Sequence, residues 1–154
     1  MARRWAIVLG VAGTLAALGV ALLASPASAV SEYQFKVFEK QKFLGVPDNP
    51  GPGDRFRYKG KMFDPQDRDN QVGSDRGKCR LKRRGVRCEG TTHLNGEIGG
   101  SGDIEYRGTA TGRNLGFNVV GGTEDFEGAT GEVGFRELNR SGTKIMTKWD
   151  FVVP

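Results

Sequence analysis

The chain has 154 residues, with 23 Lys and Arg against 18 Asp and Glu, a formal net charge of +5 and 24 glycines. That length fits one domain, and the mild charge excess does not demand an acidic partner. A single histidine and two cysteines leave too few soft ligands for a structural zinc centre.

The N-terminal stretch reads as a secretory signal. Arg3 and Arg4 form a basic start, Trp5 to Ala24 an apolar run, and Ala27-Ser28-Ala29 a small-residue cleavage site. The apolar run nears spanning length, so an uncleaved anchor is the competing reading. The Ser25-Pro26 break before the cleavage site favours removal. The expected domains are therefore a signal peptide over residues 1–29 and a secreted domain over 30–154. Loss of Arg3 and Arg4 would lower the net charge to +3. No later segment is apolar and long enough to span a membrane.

From Val30 onward the chain alternates in short strand-like runs between glycine and proline breaks. Tyr33 to Phe38 puts Tyr33, Phe35 and Val37 on one face. Gln41 to Gly53 holds Pro47, Pro50 and Pro52 and reads as an irregular connection. Asp54 to Phe63 aligns Phe56, Tyr58 and Met62. Asp64 to Asn70 is a polar turn. Gln71 to Leu81 and Val86 to Leu94 form a hairpin around a turn at Lys82 to Gly85. That register sets Leu81 opposite Val86 and Cys79 opposite Cys88, close enough for a disulfide; a three-residue turn ending at Gly85 would shift it by one, and a free buried Cys79 thiol is the competing reading. Glu97 to Arg107 carries Ile98, Ile104 and Tyr106 in alternation. Leu115, Phe117 and Val119 precede a glycine-rich turn. Thr130 to Leu138 follows it, and Thr143 to Val153 places Ile145, Thr147, Trp149, Phe151 and Val153 on one face. Eight such strands without an amphipathic helix predict an all-β sandwich or closed barrel.

The turn Gly121-Gly122-Thr123-Glu124-Asp125-Phe126-Glu127-Gly128-Ala129-Thr130-Gly131 and the strand after it resemble the penultimate hairpin of the allene oxide cyclase/dirigent-like barrels. Gly53-Asp54-Arg55-Phe56 is similar to the start of that superfamily's second strand. Val72 to Cys79 is similar to its third. The resemblance implies an eight-stranded antiparallel β-barrel with an apolar lumen, often trimeric. It also implies no cofactor in the barrel, and enzymes that steer cyclisation or radical coupling of an unsaturated substrate. It aligns the first-strand polar positions of the plant cyclases with Gln34 and Lys36, and their lumen tyrosine near Ile104. Cys79 matches a pocket residue. The acidic positions of the dirigent second strand fall at Lys59 and Gly60.

The candidate ligand-binding residues are Gln34, Lys36, Tyr58, Tyr106, Phe117 and Trp149; no catalytic set emerges, and no metal or cofactor is implied. Whether Gln34 and Lys36 or Tyr33 and Phe35 point inward depends on a one-residue phase. His93 reads as a strand-end surface residue. Asp64, Asp67, Asp69, Asn70 and Asp75 read as one solvated turn rather than a calcium loop. Glu124, Asp125, Glu127 and Glu132 read as an acidic loop. Lys78, Arg80, Lys82, Arg83, Arg84 and Arg87 make the hairpin basic, which a solvent face also requires; nucleic acid is not an expected partner, and neither is a membrane after signal cleavage. Two functions stand. One is a secreted barrel that binds a small hydrophobic molecule or serves as an interaction module. The other is an isomerase, cyclase or dirigent-type protein acting in the lumen. A lumen filled by its own aromatics is the alternative to a ligand-lined one.

Overall fold

The structure is a computed structural model that describes residues 29–154 other than residue 113. The signal-peptide reading therefore lies almost wholly outside the described residues. Eight strands run in order: β1 (Ser31–Leu44), β2 (Arg55–Phe63), β3 (Gln71–Leu81), β4 (Val86–Asn95), β5 (Ser101–Ala110), β6 (Asn114–Gly122), β7 (Thr130–Glu137) and β8 (Lys144–Val153). Each pairs antiparallel with its sequence neighbour, and β8 returns to β1, which closes an all-β eight-stranded barrel. Closure leaves no unpaired sheet edge.

β1 makes the closure possible by serving two neighbours. Residues Ser31 to Lys40 pair with β8, and Phe38 to Leu44 pair with β2. The strand therefore runs well past Phe38, into the segment read from sequence as an irregular connection. Its inward positions there are Glu39 and Gln41, both buried. Polar residues on the buried face conceal the alternation that a strand reading depends on. A second boundary also moves. β5 begins at Ser101, because Gly96 to Gly99 close a turn through a Gly99 N–H to Gly96 carbonyl bond of 3.3 Å.

The inside of the barrel is the core. Tyr58, Met62, Ile104, Tyr106, Phe117, Val133, Trp149 and Phe151 all point into it and are buried. One end is sealed by a single 3₁₀ turn, Glu124–Phe126, between β6 and β7. That turn carries Phe126, fully buried, against Tyr33 at 5.4 Å and Phe151 at 5.8 Å between ring centroids. Tyr33 stacks in turn on Phe151 at 5.0 Å. Asp125 accepts the Ser101 N–H at 2.9 Å, which ties the acidic turn to the start of β5. A smaller apolar pair lies outside the wall. Phe38 and Phe63 are buried there, with the Arg68 guanidinium 4.4 Å over Phe38 and the Lys40 ammonium 4.7 Å over Phe63.

Cys79 and Cys88 face each other across β3 and β4 and form the expected disulfide. The hairpin turn is Lys82 to Gly85, with the Lys82 N–H bonded to the Gly85 carbonyl at 3.0 Å.

Candidate functional site

The unsealed end of the barrel holds a cavity of about 310 Å³. Its sides are Phe43, Phe56, Leu81, Val86, Leu115, Phe117, Phe135 and Ile145, together with the disulfide. Its polar lining includes Gln41 and Tyr58. Below Tyr58 lies a polar cluster that spans five strands.

Asp75 on β3 is the centre of this cluster and only 2% exposed. The Tyr106 hydroxyl, from β5, lies 3.0 and 2.8 Å from its two carboxyl oxygens and donates to the carboxylate. Thr92, from β4, donates to it at 2.9 Å. The Tyr58 hydroxyl, from β2, forms a short hydrogen bond with the Tyr106 hydroxyl. The result is a continuous chain, Tyr58 to Tyr106 to Asp75, that leads from the cavity lining to a buried acid. Glu39, from β1, lies over Gly60, whose partner on β3 is Asp75. Both Glu39 carboxyl oxygens are buried, and among the described residues neither meets a partner at hydrogen-bond geometry, although Gln41 and Asp75 are near enough to influence its charge.

Three glycines make the room. A Cβ on Gly60 would collide with the Glu39 carboxyl, and one on Gly77 with the Tyr58 ring. A Cβ on Gly90 would lie 2.5 Å from both the Tyr58 hydroxyl and the Tyr106 ring. These glycines face inward on β2, β3 and β4, where adjacent strands are too close for two large side chains at one level. Opposite them stands an aromatic wall. Tyr106 meets Phe135 at 5.3 Å and Trp149 at 5.8 Å, and Phe117 meets Phe135 at 5.5 Å. The Trp149 indole N–H donates to Thr147 at 3.1 Å.

Burial sets the protonation of the cluster. It pushes Asp75 up to about 6, against the lowering effect of the bonds from Tyr106 and Thr92. Glu39 is held well above the usual carboxylate range, first by burial and then by the Asp75 charge. Burial and the same charge raise both phenols, so Tyr58 and Tyr106 are proton donors at neutral pH. Two acids in one dry space cannot both ionise easily, so the cluster retains a proton into the neutral range.

The structure brings Tyr58, Tyr106, Phe117 and Trp149 into the lumen, and Tyr58 and Phe117 line the cavity itself. Trp149 lies deeper, behind Tyr106. Gln34 and Lys36 are not lumen residues. Tyr33, Phe35 and Val37 take the inner face, so Gln34 and Lys36 stand outside and exposed, with the Gln34 amide 3.4 Å from Asp150 on β8. Asp75 is likewise not part of the solvated turn. Asp64 and Asp67 do form that turn, where their side chains accept the backbone N–H groups of Gln66 and Asp69. His93 is exposed and bonds to Asp103 at 2.8 Å. Sequence reading missed Glu39, Gln41 and Thr92. Their signal was a polar residue at an inward position of a strand, beside inward glycines on neighbouring strands.

No protein-family model matches the chain, and no curated protein matches it. Solved structures do. A pyocyanin demethylase superposes with a TM-score of 0.60 at 17% identity, covering 77% of this chain and 99% of that one. The pterocarpan synthase dirigent protein PsPTS1 gives 0.62 at 13% identity, over 79% and 94%. AbnU, an exo-specific intermolecular Diels-Alderase, gives 0.59 at 17% identity, over 80% and 99%. At such identities the likeness is one of fold. The closed eight-stranded antiparallel barrel expected from the glycine-rich hairpin is the fold observed, and these structures share it.

Proposed function

We propose that the barrel takes a small, largely apolar molecule into the cavity at its unsealed end and holds one polar group of that molecule against Tyr58. The observation that carries this reading is the Tyr58 hydroxyl, which lines an apolar cavity and is backed by Tyr106 and Asp75. A volume of about 310 Å³ sits at the small end of the usual range for such sites, about 300–1,000 Å³. Apolar walls supply affinity and a few convergent polar groups supply orientation. The disulfide accords with an oxidising compartment, and the expected signal peptide would deliver the chain there.

The cluster also favours a second reading, in which the bound molecule is chemically changed. When Asp75 is ionised, Tyr106 donates to it and Tyr58 donates to Tyr106. When Asp75 takes up a proton, the chain reverses. Asp75 then donates to Tyr106, Tyr106 to Tyr58, and the Tyr58 proton turns toward the cavity. A ligand oxygen there would receive a hydrogen bond, or a proton that the relay replaces from Asp75. This is general-acid assistance of the kind a cyclisation or isomerisation uses. The structural neighbours include a pyocyanin demethylase, a pterocarpan synthase and a Diels-Alderase, so the reading is in keeping with the fold.

The test is a titration with phenolic, polyene and fatty-acid-like molecules, followed by Trp149 fluorescence. Tyr58→Phe removes the proton donor at the cavity with little change of shape. Below about pH 6, where Asp75 is protonated and the Tyr58 proton faces the cavity, it should weaken ligands that carry an oxygen acceptor by about tenfold, as for one lost hydrogen bond, and leave hydrocarbon analogues alone. An absence of any spectral change or thermal shift across these ligand classes would reject the binding reading.

A further inference from the structure

The inside of the barrel does not use its most heavily charged feature. The outer wall of β1 to β4 is a positive sheet. Register places Lys42 of β1, Lys59 of β2 and Arg76 of β3 side by side in one row. A second row, nearer the cavity end, sets Arg55 of β2, Arg80 of β3 and Arg87 of β4 side by side. All six are exposed. Like charges directly opposed on adjacent strands destabilise a sheet, so solvation alone does not call for this arrangement. On this wall the recorded ion pair is Lys78 with Glu89. The turn Lys82 to Arg84 extends the charge to the rim.

The second row also lines a groove on the outer wall, of about 830 Å³, that Leu44 and Gly45 share. Leu44 and the neighbouring Val46 are exposed, at 37% and 47%. Phe56, Cys79 and Cys88 border both this groove and the apolar cavity. Positive charge, exposed aliphatic side chains and the cavity therefore meet at one edge of the molecule.

We propose that this edge is a docking surface for an anionic lipid bilayer. The basic rows meet the headgroups, Leu44 and Val46 enter the interface, and the cavity faces the lipid phase from which an apolar ligand would partition. A soluble polyanion would use the charges but gain nothing from the two aliphatic residues. The wall also lacks exposed aromatic side chains for base stacking. Among the described residues no helix is long and apolar enough to cross a membrane; peripheral attachment needs none. The role given to the cavity rests on the function proposed above, whereas the docking itself does not.

The experiment is co-sedimentation of the disulfide-bonded protein with phosphatidylcholine vesicles, alone or with about 30% phosphatidylglycerol, at low and high salt. Binding is expected only to the anionic vesicles and should fall with salt. Arg80→Glu with Arg87→Glu should weaken it about tenfold or more at an unchanged melting temperature; if that variant fails to fold, Lys42→Gln with Lys59→Gln takes its place. Leu44→Ser with Val46→Ser should weaken vesicle binding but not retention on heparin or duplex DNA. Equal binding to neutral vesicles, no binding to anionic ones, or loss of Leu44 and Val46 without effect on vesicles would each overturn the proposal. The last result, with tight DNA or heparin binding, would make the wall a polyanion site instead. Tyr58→Phe should leave vesicle binding intact, so failure to find a cavity ligand is a separate outcome.

Discussion

At the end of the barrel where β1 starts and β8 finishes, Phe126 drops between Tyr33 and Phe151 and closes the lumen. At the opposite end the same eight strands enclose a cavity with ionisable groups beneath it. Both ends rely on inward glycines. Gly122 and Gly131 stand where a Cβ would press on Phe126 and Phe151, at 2.8 and 2.7 Å from their Cβ atoms. Gly60, Gly77 and Gly90 stand where a Cβ would press on Glu39, Tyr58 and Tyr106. One device thus yields two results. A glycine admits a large side chain from the next strand, and the chemistry of that side chain decides whether the space becomes packed core or a reactive interior.

The sharpest way to break the comparison is at the sealed end. Gly131 has φ +153°, and a Cβ there meets the Asp150 carbonyl and the Phe151 backbone, which cannot step aside. Gly131→Val should cost about 4 kcal/mol or more, the range of severe strain. Gly134→Ala, three residues along β7, faces open space at an ordinary φ and should change stability by less than about 0.5 kcal/mol. Urea denaturation of both variants gives the answer. Similar midpoints would show that the close approach at Gly131 does not matter.

Phe126→Ala comes next. It removes a fully buried ring from the seal and should cost about 3–5 kcal/mol. Phe43→Ala at the other end removes a half-buried ring that borders the cavity, and about 1 kcal/mol is expected because little packing is lost. A larger loss at Phe43 than at Phe126 would reverse the assignment of packed and unpacked ends.

The disulfide belongs to the unsealed end, where less apolar packing holds the strands. Replacing Cys79 and Cys88 together by serine should cost roughly 3 kcal/mol, the loop-entropy value for so short a bridge. Chemical denaturation of the double variant against the oxidised protein measures it. No loss would mean that β3–β4 pairing alone holds the cavity wall.

What could be read beforehand divides along the same line. The sealed end was legible, since its aromatics alternate cleanly and Gly122 and Gly131 sit in a recognisable turn. The cysteine hairpin was legible because register follows from one turn. The polar interior was not. Glu39 and Gln41 interrupt the apolar alternation of β1, so the strand read as ending early and its inward phase stayed open. Asp75 follows four Asp or Asn residues of a turn and was absorbed into it, although Gly73 and Gly77 flank it at inward positions. Alternation marks buried faces by their hydrophobicity, so it is blind to a buried face that is polar. The basic wall was half visible. The hairpin charges are contiguous in sequence, but Lys42, Lys59 and Arg55 join them only through register.

The smallest expected effect tests whether the interior is held against its own stability. Glu39 is an acid whose pKa in the folded chain is raised. Such a group binds more protons folded than unfolded in the window between the two pKa values, so stability falls as pH rises through that window. The fall begins near 4.5, the ordinary value for Glu39. Asp75 adds to it between 3.8 and about 6. Glu39→Gln keeps the shape and removes the acid. Below about pH 4 the variant and the parent should be equally stable, because the carboxyl is protonated in both folded and unfolded parent chains. At pH 7.5 the variant should be the more stable, by about 1.4 kcal/mol for each pH unit by which burial raises the Glu39 carboxyl in the folded chain. Asp75 persists in the variant, so a weaker decline across pH 4 to 6 should remain. Denaturant midpoints at several pH values measure both slopes. Identical slopes would mean that Glu39 finds a partner in solution, and that the barrel interior near Tyr58 is not poised by two competing acids.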